Sequence, residues 1–434
     1  MADVVPFRAI RYAAADLSPV LAPPYDVLDK AGKDKLLAKS DRNIVTIDLP
    51  YLPPKTVGPD AVYLQAAATL PQWIADGTLK ADGEPAFYAY TQTFTLRGRT
   101  FDRRGMIALV RLEEFSTPAK PTHVVPHEKT YPGPIEDRLK LMTATGVQLS
   151  PIFGLFPDED GSTTGLLHDG LGHPTAAGTL GEVGNKIWRV TDAAVQQKVA
   201  AAMKAKKVYI ADGHHRYTTA LAYKKRLEAE AGGPLPADHP ANFCLFVLVS
   251  MHDEGCVILP THRIVGGLKN FDLATLKAKL AGVFEIDALD GDESGMASFE
   301  DGLAADPNTA FGLFDGTTRK LYLLRLVDRD VLKRYEPGQS NAWRALDVAI
   351  LRRYLLDEIL GPTFAGGDVT LAYTADATQV PTMTDGTNYQ IAILLRPTPL
   401  EALRQLGEAG EVMPQKSTYF YPKLATGVAI NPLR

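Results

Sequence analysis

One junction constrains the fold of this chain more than any other. A β-prone run, Lys207-Val-Tyr-Ile-Ala211, passes through the turn Asp212-Gly-His-His-Arg216 into a helical pattern over Tyr217–Ala231, with Leu221, Ala222 and Leu227 as its apolar positions. A strand that hands over directly to a helix is the building step of layered α/β folds. The continuously apolar Phe243–Met251 that follows predicts a strand buried on both faces.

The same alternation runs through the rest of the sequence. Upstream, Leu21-Ala-Pro-Pro-Tyr-Asp-Val27 is pinned extended by Pro23 and Pro24, which set Tyr25 and Asp26 on a stiff backbone. Asn43–Leu49 reads as a strand and Ala61–Asp76 as a helix closed by Gly77; Ala86–Leu96 and Arg104–Leu112 read as a hairpin. Five prolines break up the long segment Phe115–Pro134, which predicts a functional or mobile loop. A helix over Ile135–Thr145, strands at Ile152–Phe156 and Lys186–Thr191, and a helix over Asp192–Lys204 follow, with an exposed Gly-rich patch at Asp158–Gly181. Cys256–Pro260 predicts a strand that ends at Thr261-His262-Arg263. Further on, helices are expected at Leu273–Ala281, Asp347–Glu358 and Pro399–Gly407. Strands are expected at Thr309–Phe314, Lys320–Leu326, Val369–Tyr373 and Gln390–Leu395. The fold class is therefore α/β (α+β). The 434-residue length suggests three lobes, 1–115, 116–265 and 266–434, with a boundary near Gly266–Leu289.

Composition removes several function classes. A net charge of −5, from 46 Lys+Arg against 51 Asp+Glu, argues against a nucleic-acid binder, which needs a basic stripe for phosphate contacts. Two cysteines, Cys244 and Cys256, read as free thiols in a reducing compartment. Met1-Ala-Asp-Val-Val-Pro-Phe7 lacks the charged and apolar regions of a signal peptide, and no apolar run approaches the ~20 residues that span a bilayer. A cytoplasmic protein with no membrane or nucleic-acid partner is expected; the sequence does not fix its oligomeric state. No Gly-x-Gly-x-x-Gly follows a strand, and neither His-Glu-x-x-His nor paired Cys-x-x-Cys occurs, so dinucleotide oxidoreductases and the common zinc sites are disfavoured.

The turn carries the chemistry. A strand feeding a helix through glycine gathers free backbone N–H groups at the positive end of the helix dipole, a natural anion site. Gly213 lets a ligand approach the backbone, Arg216 offers a fork of donors for phosphate, Thr218 and Thr219 add hydroxyls, and His214 and His215 can donate or move protons. Two readings compete with it. In one, Asp212 merely caps the helix and the histidines lie on the surface. In the other, Asp212, His214 and His127 fold together around a metal.

The turn resembles the phosphate-binding motif of the ParB/sulfiredoxin superfamily, a Gly-x-x-Arg signature between strand and helix, matched by Gly213, Arg216 and Ala220. The free-serine kinases of that superfamily carry an Asp-Gly-His-x-Arg version, matched by Asp212, Gly213, His214 and Arg216. By that resemblance Asp212 is a catalytic or metal-orienting carboxylate and the others hold nucleotide phosphates. A ParB/sulfiredoxin-like core would then occupy 116–265, with ATP or ADP and Mg2+ as cofactors. Sulfiredoxins have cysteine where this chain has His214, and the partition proteins have arginine where it has His215, so neither thiol chemistry nor DNA partition is implied. From Ala22–Val27 to Met413-Pro-Gln-Lys-Ser-Thr-Tyr-Phe-Tyr-Pro-Lys423, the whole chain is similar to the family catalogued as domain of unknown function 1015.

Other segments supply matching groups. His127-Glu128-Lys129-Thr130, followed by Asp137-Arg138, offers a base and cations of the kind phosphoryl transfer uses, with Glu128 or His127 as the base. A surface loop whose charges pair with one another fits the same spacing. In the C-terminal segment, Lys416, Ser417, Thr418 and Lys423 are candidate phosphate contacts, with the interleaved aromatics free to stack on a base or to pack into a groove. Tyr25, Asp26, Arg138, His262 and Arg263 are candidate substrate contacts, though Asp26 equally suits a turn and His262 a structural role. These residues point to a small-molecule kinase or phosphatase that acts on a hydroxylated metabolite, serine or phosphoserine first among them. A nucleotide-binding sensor without chemistry is the alternative, and an assembly scaffold a third.

Overall fold

The computed structural model describes residues 2–289 and 295–434. The chain divides into two compact units, Met1–Val257 with Pro422–Arg434, and Ile258–Tyr421.

The first unit is built on a mixed nine-stranded sheet. Its strands are β1 (Val4–Val5), β2 (Phe87–Leu96), β3 (Arg99–Arg111), β4 (Val124–Val125), β5 (Ile152–Phe156), β6 (Ala176–Leu180), β7 (Val183–Val190), β8 (Val208–Asp212) and β9 (Phe243–Ser250). They run in the order β4-β8-β5-β9-β3-β2-β7-β6, with β1 paired to β3. All eight residues of β9 are buried, as its unbroken apolar run predicts; it lies parallel to β5 and antiparallel to β3. The β2–β3 hairpin turns on Arg97 and Gly98, both at positive φ, which is the two-residue geometry that matches strand twist; β3 therefore starts at Arg99 rather than Arg104. Helices α2 (Asp60–Ala75), α3 (Pro132–Thr145), α4 (Ala193–Met203) and α5 (His214–Ala231) belong to this unit, and its core runs through Phe87, Met106, Val208, Tyr217, Ala220, Phe246 and Leu248.

Three sequence expectations change here. Asn43–Leu49 is not a strand: Val45–Asp48 forms a short helix, α1. The Asn43 side chain accepts from Val45 N–H and donates to the carbonyls of Pro19 and Leu21, which closes a turn; the apolar character of the run reflects burial on every side. The Gly-rich Asp158–Gly181 contains the helix Ser162–His168, where Asp158 accepts from the Thr163 and Thr164 backbones, and then strand β6. The expected lobes 1–115 and 116–265 share one sheet, because β2 and β3 lie between strands from the later segment.

The second unit carries an antiparallel six-stranded sheet of β10 (His262–Gly266), β11 (Phe284–Ala288), β12 (Ala310–Asp315), β13 (Lys320–Leu326), β14 (Thr370–Thr374) and β15 (Tyr389–Leu394), in the order β11-β13-β12-β15-β10-β14. Helix α6 (Met296–Ala305) packs on its core at Ile264, Phe314 and Leu394. The unit begins at Ile258, earlier than the Gly266–Leu289 boundary expected from composition. His262 and Arg263 open β10, just after the short strand Val257–Leu259 that the Cys256–Pro260 run predicts.

Candidate functional site

Helix α5 starts at His214, so His214, His215 and Arg216 form its first turn rather than a loop before it. Gly213 precedes it at φ 102, a conformation that glycine adopts without a Cβ penalty. The Asp212 carboxylate does not cap the helix. It accepts from Arg216 Nη2 at 2.7 Å on one oxygen and from Lys423 Nζ at 2.9 Å on the other. Arg216 Nη1 donates to the Pro151 carbonyl. Burial raises the Asp212 carboxyl, but the Lys423 ammonium and the Arg216 guanidinium outweigh it and hold the group well below the carboxylate range. Two cations thus face one anion at the positive end of an 18-residue helix.

The Pro-rich loop lies against this turn. His127 N–H donates to His214 Nε2 at 3.2 Å, and Tyr131 N–H donates to His215 Nε2 at 3.1 Å. Since both Nε2 atoms accept, both rings carry their proton on Nδ1. That of His214 faces Glu128 Oε2 at 3.9 Å. His127 Nδ1 donates to the Ile210 carbonyl at 2.7 Å, and the His127 and His214 rings meet edge to face. His127 and His214 are buried. Burial pulls His127 down to about 4; burial and the neighbouring His127 hold His214 well below its ordinary value. His215, half-buried, is lowered by burial and by Lys55. The two histidines are therefore not surface groups, and both constellations read from the sequence meet here.

The hydroxyls of Thr218 and Thr219 donate to the His214 and His215 carbonyls one turn back, so they have no proton to offer an anion, contrary to the expectation for Thr218. Asp26 lies 3.5 Å from Lys55. The Tyr25 ring covers the Arg138 guanidinium at 4.0 Å. Arg138 is buried and already engaged: its Nε and Nη2 bind Asp137 at 2.8 and 2.7 Å, and Nη1 donates to the Asp48 carbonyl at 2.5 Å. Tyr63 donates to the far oxygen of Asp137 at 2.7 Å. Sequence reasoning missed Asp48 and Lys55 as groups near the site. A single acid in an apolar run and a lysine among prolines carry no pattern that would single them out.

The other candidates have local roles in the second unit. His262 is fully buried, accepts from Leu395 N–H on Nδ1 at 3.2 Å and faces Glu300 at 3.4 Å. Arg263 donates to the carbonyls of Thr261, Gln415 and Lys416, and Ser417 donates to Pro414. Lys416 sits at φ 58, with Thr418 two residues on. Among the described residues, no three of His, Cys, Asp and Glu gather to hold a metal. The rival reading of an Asp212–His214–His127 metal cage is not supported, because Asp212 already holds two cations and His214 Nε2 accepts a backbone N–H. Also among the described residues, no helix is long and apolar enough to cross a membrane, and both cysteines are free.

Fold and site together define a mixed α/β protein with a cation-rich turn at the head of a helix. The chain belongs to the family described as "Protein of unknown function (DUF1015)", which it matches over residues 4–349. No curated protein matches it. Among solved structures it is similar to SbnI with C-terminal truncation from Staphylococcus aureus, at 12% identity and a TM-score of 0.36, covering 75% of this chain and 87% of that one. It is also similar to a free serine kinase in complex with AMP (15% identity, TM-score 0.32, 71% and 88% coverage) and to a conserved hypothetical protein from Pyrococcus furiosus (15%, 0.30, 69% and 90%).

Proposed function

We propose that the first unit binds the phosphate of a small metabolite at Asp212–Arg216 and transfers or hydrolyses it, with serine or phosphoserine as the leading substrate and ATP or ADP as the nucleotide. The observation that carries this reading is the pair of cations, Arg216 and Lys423, held on one carboxylate at the head of α5. A phosphate entering there can take both cations from Asp212 and accept from the free N–H groups of the first helical turn. Glu128, beside His214, is then the base for the substrate hydroxyl: its oxygen bonds to phosphorus as the bond to the nucleotide breaks, and its proton passes to the carboxylate. His127 and His214 stay neutral at pH 7 and hold the loop to the turn. Asp212 is the carboxylate that would orient a nucleotide-borne Mg2+.

The test is to incubate the pure protein with serine plus ATP or ADP, and separately with phosphoserine, across common divalent metals. Formation of phosphoserine supports the kinase, and release of inorganic phosphate without nucleotide supports the phosphatase. No turnover in any pair overturns the enzymatic reading for serine. Nucleotide stabilisation in thermal shift without turnover would favour a binding protein, a reading to which the backbone engagement of His214 and His215 also lends weight.

A further inference from the structure

Beside Arg216 the first unit contains a cavity of about 40 Å3, room for a group the size of a water molecule or an ammonium. Its polar lining includes Tyr25, Asp48, Arg138, Ser150 and Arg216, and most of the remainder is apolar, with the Cys244 thiol among it. Charge is unevenly divided between the cavity and the adjoining turn. At the turn, two cations share the single carboxylate of Asp212. At the cavity, the single guanidinium of Arg138 is shared by two buried carboxylates, Asp137 and Asp48. Asp48 has the weaker share, 3.6 Å from Arg138 Nη1 against 2.7 Å for Asp137. Burial pushes its carboxyl up, and Arg138, Ser150 and Arg216 only partly offset that. A buried carboxylate on a cavity wall that shares its cation with a second carboxylate is stabilised by any ammonium that reaches it.

We propose that this cavity receives the ammonium group of the metabolite, with Asp48 as its counter-ion, so that the substrate class is small hydroxylated primary amines. The inference rests on the reading of Asp212–Arg216 as the phosphate site and names the group recognised beside it. Neither cation lining the cavity is left for a substrate carboxylate. Arg138 is held by Asp137 and Asp48 with its face under Tyr25, and Arg216 is the cation that the phosphate takes over from Asp212. A substrate carboxylate therefore finds no cation on this wall. The amine is the recognised feature, and serine and carboxylate-free amino alcohols qualify alike.

Titration calorimetry of the full chain with O-phosphoserine, O-phosphoethanolamine, glycerol 3-phosphate and inorganic phosphate tests this. Both amines should bind within about 3-fold of one another and at least about 10-fold more tightly than glycerol 3-phosphate, and Asp48→Asn should reduce them to the glycerol 3-phosphate level. Should that variant fail to fold, the ligand series on the unaltered chain decides alone. Glycerol 3-phosphate binding as tightly as the amines overturns the amine site and leaves the phosphate site standing. Phosphoserine binding more than about 10-fold tighter than phosphoethanolamine overturns it too, since the carboxylate would then be read. If no phosphate compound binds, both readings fall.

Discussion

Arg216 and Lys423 differ in what they do for the resting protein. Arg216 also ties the turn to the Pro151 carbonyl, whereas Lys423 Nζ is fixed on Asp212. A charge-assisted hydrogen bond contributes about 1.5–3 kcal/mol. Lys423→Met should therefore weaken phosphate binding about 10- to 100-fold and lower the melting temperature, because Asp212 loses one of its two cations. Arg216→Ala should weaken binding comparably and lower the melting temperature further, since the tie to the Pro151 carbonyl goes as well; calorimetry paired with thermal denaturation checks both. The histidines set the pH response. His127 is held neutral in the folded protein down to about pH 4, while in the unfolded chain it takes up its proton near 6.5. The unfolded state binds more protons in that window, so stability is constant above pH 7 and falls as pH drops from 6.5 towards 4. The loss from this one residue is up to about 3 kcal/mol. Urea titrations at stepped pH should show that slope, and His127→Gln should flatten it. A slope unchanged in the variant would exclude His127 as its source. At this scale the sequence was most legible where the chemistry is compact: Asp212, His214 and Arg216 lie within five residues. It was silent where one charged residue sits among unlike neighbours, as Asp48 does between Ile47 and Leu49.

The junction of β8 and α5 was readable as a strand–helix handover, yet its boundary was not. Histidine and arginine in a row after glycine resemble a loop, and only the backbone shows that the helix has already begun at His214. That shift matters, because it puts Arg216 on the first helical turn, four residues from Asp212 and facing it. Gly213 is the hinge of the arrangement. A Cβ there would lie 2.9–3.0 Å from the Arg216 guanidinium, in a backbone conformation that L-residues avoid. Gly213→Ala should cost about 1–2 kcal/mol by the strain alone. It should also displace Arg216, so phosphate affinity should fall along with the melting temperature. If affinity holds while stability drops, the guanidinium is not the grip. The misread Asn43–Leu49 has the same kind of cause as the late helix start. Apolar residues announce burial, but Asn43, through three hydrogen bonds, decides that the buried segment turns rather than extends.

Across the whole molecule, the sequence could show the α/β rhythm but not which distant segments share a sheet. Strands β2 and β3 join strands from beyond residue 150, and residues 422–434 return to the first unit after the second is complete. Pairing of that kind depends on tertiary packing that no local pattern encodes. The returning segment buries Leu424, Ala425, Val428, Ala429, Ile430 and Leu433, and it pairs Asn431–Pro432 with Val147–Gln148. It also bridges Ile10 to Ile430 and Ala22 to Thr426. A chain ending at Tyr421 should lose several kcal/mol from the first unit, because each large apolar side chain contributes roughly 1.5–3 kcal/mol on burial. Circular dichroism melting should show that loss, and if the truncated chain melts like the intact one, the segment is not part of the core.

This return has a consequence for synthesis. The proposed anion-binding turn is translated near the middle of the chain, but its second cation, Lys423, comes some two hundred residues later, in the segment that returns to the first unit. A nascent or prematurely stopped polypeptide therefore carries Asp212 and Arg216 as a neutral pair, without the second cation that makes the turn net positive. On the proposed reading, a fragment that stops short of Pro422 lacks Lys423 and should hold phosphate less tightly than a chain that contains it.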